Sequence, residues 1–333
     1  MLLYLLLCLL ASFPGAVPHM SLPQPDDNLN IYALPVGQGD STVIQCPLAD
    51  NGTITIIDAG SSKSTGFTKY DFVNYLKGQS IKYVILTHAD TDHVKYIDPL
   101  LQMHDQPVTI YHSCSWSKYR SKVRSANTAK FRVTKCCGLE GCNFSLPLCP
   151  NSKVVLNVIG SEYNNCKKGT NGDSIVSIIK YQNISTLITG DFEGSKRFMR
   201  SYLSCVGNDP VSSDLRADIY RLSHHGAYNG KANTEDFLKA VNASYVFSSS
   251  GLKSNYKHPR CELYDHYKGK LTIDDTKHSY TCYMKDGTTA SYYTGEGIYV
   301  TTVIEDEIVK NYVVKFSIDD KGSILPRAIL FRK

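Results

Sequence analysis

Four polar clusters in this chain each follow an apolar run of strand length. The segment His88–His93 contains two histidines and two aspartates and comes directly after the run IKYVIL. The other three clusters contain Asp191, the pair His224 and His225, and His258. Loops at the carboxyl ends of neighbouring strands form a common crevice in α/β proteins. The sequence therefore predicts that these side chains converge at one edge of a sheet.

The residue types in these clusters are typical metal ligands. Imidazole nitrogens and carboxylate oxygens suit Zn²⁺ or Mn²⁺, and no thiolate lies among them. The alternation of His88, Asp90 and Asp92 lets three ligands converge from one tight loop, and His93 is expected to open the next helix. A single histidine would be an ordinary surface residue, but the ordered series favours a metal site.

Apolar runs and helical patterns alternate along the rest of the chain. Strands are predicted at 29–33, 41–46, 53–57, 81–86, 108–111, 154–159, 174–181, 184–189, 218–222 and 244–249, and in much of 279–317. Helices are predicted at 67–77, from Val94 onward, near 194–204 and at 234–241. Residues 113–150 are basic, rich in cysteine and expected to be irregular. This order predicts two sheets covered by helices.

The first residues predict the cellular compartment. Residues 2–13 are uncharged and apolar, and Pro14-Gly15-Ala16 follows. The run is shorter than the roughly 20 residues that span a bilayer, and it has the length of a signal-peptide core. We expect cleavage near residue 16, secretion, and no stable membrane association afterwards. An uncleaved anchor is the alternative.

Cysteines and glycosylation sequons agree with an oxidising compartment. Of the 11 cysteines, Cys8 lies in the predicted signal peptide, which leaves an even number for up to five disulfides. A zinc knuckle built from the cluster Cys136, Cys137, Cys142 and Cys149 is the alternative. N-x-S/T sequons stand at Asn51, Asn143, Asn183 and Asn242. A secreted, disulfide-bonded glycoprotein is predicted.

The motifs resemble those of the metallo-β-lactamase superfamily, whose signature is H-x-H-x-D-H. Asp90 departs from that signature, and H-x-D-x-D-H with a later H-H-G resembles the soluble domain of ComEC-type DNA-uptake proteins. Further matching motifs are Gly37-Gln38-Gly39-Asp40, Asp58-Ala59-Gly60 and Asn171-Gly172-Asp173-Ser174. The resemblance implies a four-layer αββα sandwich of the α/β class over residues 29–320. The segment at about 113–150 is expected to be an insertion.

The resemblance also implies roles for the clustered residues. Two divalent ions, Zn²⁺ or Mn²⁺, would activate a water. His88 and Asp90 would hold one ion, Asp92 and His93 the other, and Asp191 would bridge them. Asp92 would also be catalytic. One residue of the His224–His225 pair would complete a site, with His225 taken as the ligand and His224 as the catalytic donor to the leaving oxygen, although the sequence leaves the choice open.

Neighbouring residues are expected to support this centre. Asp58 is predicted to orient a histidine of the cluster. His258 is predicted as a further ligand or as a contact for substrate phosphate. Asn171 and Ser174 are expected to line the pocket or to serve as turn residues, and Asp173 to be a surface carboxylate. The residues Val94-Lys95-Tyr96 replace the small glycines usual in the family, and crowding near the metals is expected.

A basic segment suggests the substrate. Seven basic residues are interleaved with three aromatic ones. The basic residues are Lys118, Arg120, Lys122, Arg124, Lys130, Arg132 and Lys135, and the aromatic ones are Trp116, Tyr119 and Phe131. Basic charge attracts phosphate and aromatic rings stack on bases, so the first four cations are predicted to bind nucleic acid. A solvated loop tied by disulfides is the alternative.

The leading hypothesis is a secreted phosphodiesterase or nuclease. A small-substrate esterase of the phosphocholine esterase or lactonase type, or a non-catalytic binding glycoprotein, is the alternative.

Overall fold

A computed structural model describes residues 20–124, 128–137, 139–167, 171–193 and 215–332. The predicted signal peptide and the predicted helix near 194–204 lie outside these residues. Nothing in the described chain therefore tests the cleavage site near residue 16.

Strands are the predominant regular element of the described chain, as the apolar runs predict. In chain order the first ten are β1 (Leu29–Ala33), β2 (Thr42–Gln45), β3 (Ile54–Ile57), β4 (Ile81–Leu86), β5 (Val108–Ser113), β6 (Thr128–Val133), β7 (Cys136–Cys137), β8 (Ser145–Cys149), β9 (Val154–Ser161) and β10 (Val176–Tyr181). The remaining strands are β11 (Ile184–Ile188), β12 (Ile219–Arg221), β13 (Tyr245–Ser248), β14 (Ile273–Tyr283), β15 (Thr289–Glu296), β16 (Ile298–Val300), β17 (Thr302–Glu305), β18 (Ile308–Ile318) and β19 (Ile324–Leu330).

The α-helices of the described residues are short. They are α1 (Lys69–Tyr75), α2 (Thr91–Val94), α3 (Ile97–Gln102), α4 (Leu139–Cys142), α5 (Glu235–Val241) and α6 (Cys261–Tyr267). Thr68 is the N-cap residue of helix α1. Its side chain accepts a hydrogen bond from the Asp71 amide, and the Asp71 carboxylate accepts one from the Thr68 amide. None of these helices has the length and hydrophobicity to cross a bilayer.

The strands of the described chain form two large sheets and one hairpin. The first sheet has the order β17-β18-β1-β2-β3-β4-β5-β6, with β19 on β18, and the second has the order β16-β13-β12-β11-β10-β9-β7, with β8 on β9. Strands β3 to β6 run parallel, as do β11, β12, β13 and β16. Their carboxyl ends therefore lie at one edge of each sheet. Strand β19 extends the first sheet past residue 320 to Leu330.

Three apolar cores separate four layers. Alternate residues of one strand face opposite cores: Val84 packs with α1 and α3 on the outside of the first sheet, whereas Ile85 packs between the sheets. Val246 and Phe247 divide in the same way, with Val246 facing α5 and α6. Near-continuous apolar runs such as β4 result because both faces of these strands are buried. The predicted αββα sandwich is confirmed.

The prediction that residues 113–150 are irregular is wrong. Strand β6 extends the first sheet, pairing in parallel with β5, and β7 and β8 both pair with β9 in the second sheet. The charged residues of β6 hid this strand, because Lys130 and Arg132 alternate with Phe131 on an edge strand with one face exposed.

Disulfides account for the cysteine cluster, and they exclude the zinc knuckle. The described pairs are Cys46–Cys149, Cys114–Cys166, Cys136–Cys142 and Cys261–Cys282. Cys137 is disulfide-bonded as well. All four cysteines that a knuckle would need are thus in covalent bonds: Cys149 pairs with Cys46 outside the set, and Cys136 and Cys142 pair with each other.

Candidate metal centre

The metal-binding residue types meet at the carboxyl edge of the two sheets. His88 follows β4, Asp191 follows β11 and His225 follows β12, with Asp92 and His93 opening helix α2. Ligand atoms of His88, His93 and Asp191 lie within 4.8 Å of one another, and so do those of Asp92, His93 and His225. The two groups share His93, so the sequence clusters converge on one compact centre.

Asp191 lies between the two groups. Its Oδ1 is 3.1 Å from His93 Nε2, and its Oδ2 is 3.3 Å from His225 Nε2. Asp92 Oδ2 lies 3.6 Å from the same nitrogen of His225. A carboxylate whose two oxygens face opposite sides can bridge two cations.

One buried carboxylate fixes the orientation of two histidines. The Nδ1 of His93 lies 2.8 Å from Asp58 Oδ2, and the Thr87 hydroxyl donates to that same oxygen at 2.6 Å. Thr87 Oγ1 in turn lies 3.1 Å from His88 Nδ1, which leaves that nitrogen as the donor. With both Nδ1 atoms protonated, the Nε2 atoms of His88 and His93 keep their lone pairs for a cation.

Geometry distinguishes the two histidines after β12. His225 is buried, and its Nδ1 lies 2.9 Å from the Ser249 carbonyl oxygen, so it donates there and presents Nε2 to the centre. His224 is partly exposed, its Nε2 lies 3.8 Å from Asp191 Oδ2, and its Nδ1 lies 3.3 Å from Glu193 Oε1. His225 therefore belongs to the ligand group, whereas His224 borders it.

The donor set fits cations in this centre. The Nε2 atoms of His88, His93 and His225 and the Oδ1 of Asp191 are buried without a hydrogen-bond partner. Burying unpaired polar atoms is costly. Four such atoms directed at one another, all imidazole nitrogen or carboxylate oxygen, match the preferences of divalent transition metals.

Glycines allow the ligand loops to pack this closely. A Cβ on Gly60 would lie 2.6 Å from the Asp92 carbonyl carbon, and one on Gly190 would lie 2.5 Å from Thr87 Oγ1. Gly190 also has a φ of +54°, which favours glycine. The D-x-G and G-D motifs thus supply backbone space for the loop that carries Asp92 and His93.

The mutual charges of these groups shift their pKa values. Burial alone would raise the pKa of Asp191, but the imidazoles of His225 and His93 hold it well below its usual range. Burial would lower the pKa of His225, yet Asp191 and Asp92 raise it to about 9. These shifts favour an anionic Asp191 and a protonated His225, so a cation that binds to His225 displaces a proton.

A buried ion pair that the sequence did not reveal lies behind the centre. The Arg221 side chain is fully buried, its Nη2 lies 2.8 Å from Asp40 Oδ2, and its Nη1 donates to the Gly190 carbonyl oxygen. Asp40 ends the G-Q-G-D motif, and Arg221 lies four residues before His225. The motif was recognisable, but its partner lies in a distant strand.

Other predicted site residues lie around the centre. Ser174 Oγ is 3.4 Å from His88 Nδ1, and the Asn171 side chain hydrogen-bonds Glu193. The His258 ring lies 5.2 Å from that of His224, and burial together with the nearby histidines lowers the pKa of His258 to about 3. Glu193 is the second residue that sequence reasoning missed, although it follows Asp191 by only two positions.

Two expectations require correction. Asp173 is fully buried and accepts from the amides of Asn164 and Cys166 at 2.7 and 3.2 Å, so it is no surface carboxylate. Val94 and Tyr96 point into the core under the first sheet and do not crowd the metals.

The Asp90 side chain is 49% exposed, with Oδ2 at 3.6 Å from His88 Nε2, so it lies at the rim of the centre.

The basic segment contacts the loops around the centre only in part. Lys122 Nζ donates to the Ala89 carbonyl oxygen within the H-x-D-x-D-H loop, and Lys118 Nζ donates to the Cys166 carbonyl oxygen at 2.9 Å. The side chains of Arg120 and Arg124 are exposed. The four cations of the predicted substrate site therefore divide into two pairs.

The remaining residues of the segment serve the fold. Arg132 pairs with the buried Glu162 at 2.8 Å. Tyr119 is fully buried in the first core, and Trp116 stacks on it with ring centroids 5.4 Å apart. The expectation that Tyr119 stacks on bases is wrong, because its ring has no exposed face.

Comparisons with known proteins agree with this fold. Residues 34–122 match the model of the metallo-beta-lactamase superfamily. ComE operon protein 3 of Bacillus subtilis (strain 168) is 24% identical over 246 residues, which span 67% of this chain and 28% of that protein. The chain thus spans less than a third of this relative.

Two solved structures also match part of this chain. The β-hydroxylase CmlA of Streptomyces venezuelae is 14% identical with a TM-score of 0.41, covering 69% of this chain and 46% of that one. A Cronobacter sakazakii metallo-beta-lactamase mutant is 13% identical with a TM-score of 0.37, covering 63% and 89%. The family match over residues 34–122 and the sandwich together make this chain similar to the metallo-beta-lactamase superfamily, and it also resembles ComE operon protein 3.

Proposed function

We propose that this chain is a secreted two-metal hydrolase of phosphodiesters, with extracellular nucleic acid as the favoured substrate. The observation that carries the proposal is the pair of ligand groups sharing His93, with Asp191 between them. Two ions, Zn²⁺ or Mn²⁺, would be held by His88, Asp90, Asp92, His93, Asp191 and His225. Such ions supply an activated water and neutralise charge on phosphoryl oxygens.

The chain's own residues would move the protons. The carboxylate of Asp92, beside His225, accepts a proton from the attacking water as its oxygen bonds to phosphorus. His224 then gives a proton to the leaving oxygen as the P–O bond breaks. Glu193 holds His224 at Nδ1, and contact with His224 lowers the pKa of Glu193.

Lysines beside the centre favour a polyanion. Lys122 is attached to the loop that carries Asp90 and Asp92, and Lys118 is attached to the loop that follows Glu162. Cations at the mouth of a site attract a phosphate backbone and release its counterions. The resemblance to DNA-uptake domains points to the same substrate class.

Secretion is supported by independent features. The described disulfides need an oxidising compartment. The four sequon asparagines, at 51, 143, 183 and 242, are exposed and thus accessible to glycosylation. We propose that the mature protein is a soluble extracellular glycoprotein without stable membrane association.

An activity panel tests the function. Purified protein with Mn²⁺ or Zn²⁺ is assayed on plasmid DNA, RNA, bis-p-nitrophenyl phosphate and a lactone, and bound metal is counted by mass spectrometry. We expect about two ions per chain and hydrolysis of the phosphodiesters. Hydrolysis of the lactone alone would favour the small-substrate esterase, and binding of DNA without turnover would favour the non-catalytic glycoprotein.

Substitution of Asp191 tests the centre itself. Asp191→Ala removes the carboxylate that faces both ligand groups, so we expect loss of hydrolysis and of at least one ion. Asp236→Asn, an exposed carboxylate on α5, is the matched control and should leave both unchanged. Full activity in Asp191→Ala would refute the two-metal mechanism.

A further inference from the structure

An exposed tyrosine continues a row of rings that leads out of the metal centre. Tyr256 is 49% exposed, and its ring lies 6.2 Å from that of His258 with an interplanar angle of 24°. The His258 ring lies 5.2 Å from that of His224. Tyr256 is therefore two ring contacts from His224, whose Nε2 lies 3.8 Å from Asp191 Oδ2.

The loop that carries Tyr256 is anchored to the body of the protein. Ser250 Oγ donates to the His258 carbonyl oxygen at 2.6 Å, and the Tyr283 hydroxyl donates to the Leu252 carbonyl oxygen. Gly251 packs so tightly that a Cβ there would lie 2.6 Å from the Gly37 carbonyl carbon. These contacts fix the position of the tyrosine relative to the centre, which reduces the entropic cost of binding a ligand there.

The charge beside the ring selects the kind of ligand. Lys253 Nζ lies 4.3 Å from the Tyr256 ring centroid, in a cation–π contact. A ligand cation such as a quaternary ammonium would meet this positive charge on the face it needs. A flat ring joined to an anion can instead take the place of the lysine ammonium on the tyrosine, because the displaced lysine can then pair with the anion.

We propose that Tyr256 and Lys253 form a subsite for the nucleotide next to the scissile phosphate. The base stacks on the Tyr256 ring, and the adjoining phosphate pairs with Lys253. This inference rests on the proposed function and extends it, because the subsite would bind a base, whereas the metal centre would bind only a phosphate. It also disfavours a phosphocholine substrate.

The test compares two substrates that differ only in their bases. Mature wild type and variants, with Mn²⁺, are assayed on a single-stranded oligodeoxynucleotide and on an abasic oligomer of the same length. Tyr256→Ala should raise KM on the oligonucleotide about tenfold, which corresponds to roughly 1.4 kcal/mol of stacking. KM on the abasic oligomer should stay within twofold, and Tyr256→Trp should restore KM on the oligonucleotide.

Further variants separate stacking from folding. Tyr256→Leu keeps an apolar side chain against His258 without an aromatic ring, so it should behave as Tyr256→Ala does. Tyr293→Ala removes another exposed ring, on β15, and should change neither KM. Lys253→Gln should raise KM on both substrates. Quenching of 2-aminopurine in the oligonucleotide should occur with wild type and fail with Tyr256→Ala.

The outcomes separate this subsite from the function beneath it. Two outcomes overturn the subsite and leave the nuclease intact, provided that wild type cleaves the oligonucleotide. In the first, Tyr256→Ala cleaves the oligonucleotide as well as wild type does. In the second, Tyr256→Ala is impaired on the abasic oligomer as much as on the oligonucleotide. Wild type that is inert on both substrates overturns the proposed function, and the subsite with it.

Discussion

At the scale of single residues, Asp58 has the widest influence on the centre. Its carboxylate accepts from the Thr87 amide at 2.8 Å, from the Thr87 hydroxyl and from His93, and through Thr87 it also orients His88. One buried carboxylate therefore sets the tautomer of two imidazoles that belong to the same ligand group. Partners of this kind commonly raise ligand basicity as well.

We expect Asp58→Asn to weaken metal binding by about 10–100-fold, the usual effect of losing such a partner. The amide cannot accept from Thr87 and from His93 as two carboxylate oxygens do, so the imidazoles lose their fixed orientation. Competition with a chromophoric chelator measures the affinity, with Asp236→Asn as the control. Unchanged affinity in Asp58→Asn would show that Asp58 only packs the loop.

At the scale of elements, parallel strands bring the ligands together and β6 brings in the basic segment. Strands β4, β11, β12 and β13 end at the same edge, each followed by a loop that contributes to the centre. The segment between β5 and β6 passes beside this edge, where Lys122 reaches the loop after β4. Its position decides which of its cations can meet a substrate.

The contacts of this segment predict unequal roles for its cations. Lys118→Gln/Lys122→Gln should weaken nucleic-acid binding and reduce the salt slope of log K by roughly 1–2, because up to two phosphate contacts are lost. Arg120→Gln/Arg124→Gln should change the slope less. Fluorescence anisotropy at several salt concentrations measures both pairs. A larger effect of the arginine pair would move the substrate path to the outer surface of the segment.

At the scale of the whole molecule, two different devices join the sheets. At the metal edge, the Asp40–Arg221 ion pair connects the loop after β1 to the end of β12. At the opposite edge, Cys46 follows β2 of the first sheet and bonds Cys149 in β8 of the second, 103 residues away. The sandwich is thus held at both edges, in addition to the apolar core between its sheets.

The disulfides should differ in what they contribute to stability. Replacing Cys46 and Cys149 by alanine should lower the free energy of unfolding by about 4–5 kcal/mol, because a loop of about 100 residues is released in the unfolded chain. The Cys136–Cys142 pair closes a separation of 6 residues, and its removal should cost about 2 kcal/mol. Urea unfolding followed by circular dichroism compares the two. Equal losses would argue against the loop-entropy account.

The sequence alone determined most of the strands along the chain, their packing as two sheets covered by helices, and the residue types of the centre. Apolar runs and the polar clusters after them are local signals, since each depends on neighbours in the chain. The sequence did not reveal β6, because its charged residues mask an edge strand. It also did not show that Asp173 is buried and accepts hydrogen bonds from the amides of Asn164 and Cys166.

Only the tertiary structure decided which residues meet. The choice of His225 over His224, the support of His224 by Glu193, and the pairing of Asp40 with Arg221 all depend on contacts between separate strands and loops. Neighbouring histidines have the same chemistry, and a motif names no distant partner. The direction and burial of each side chain decide its role, and both follow from how the two sheets pack.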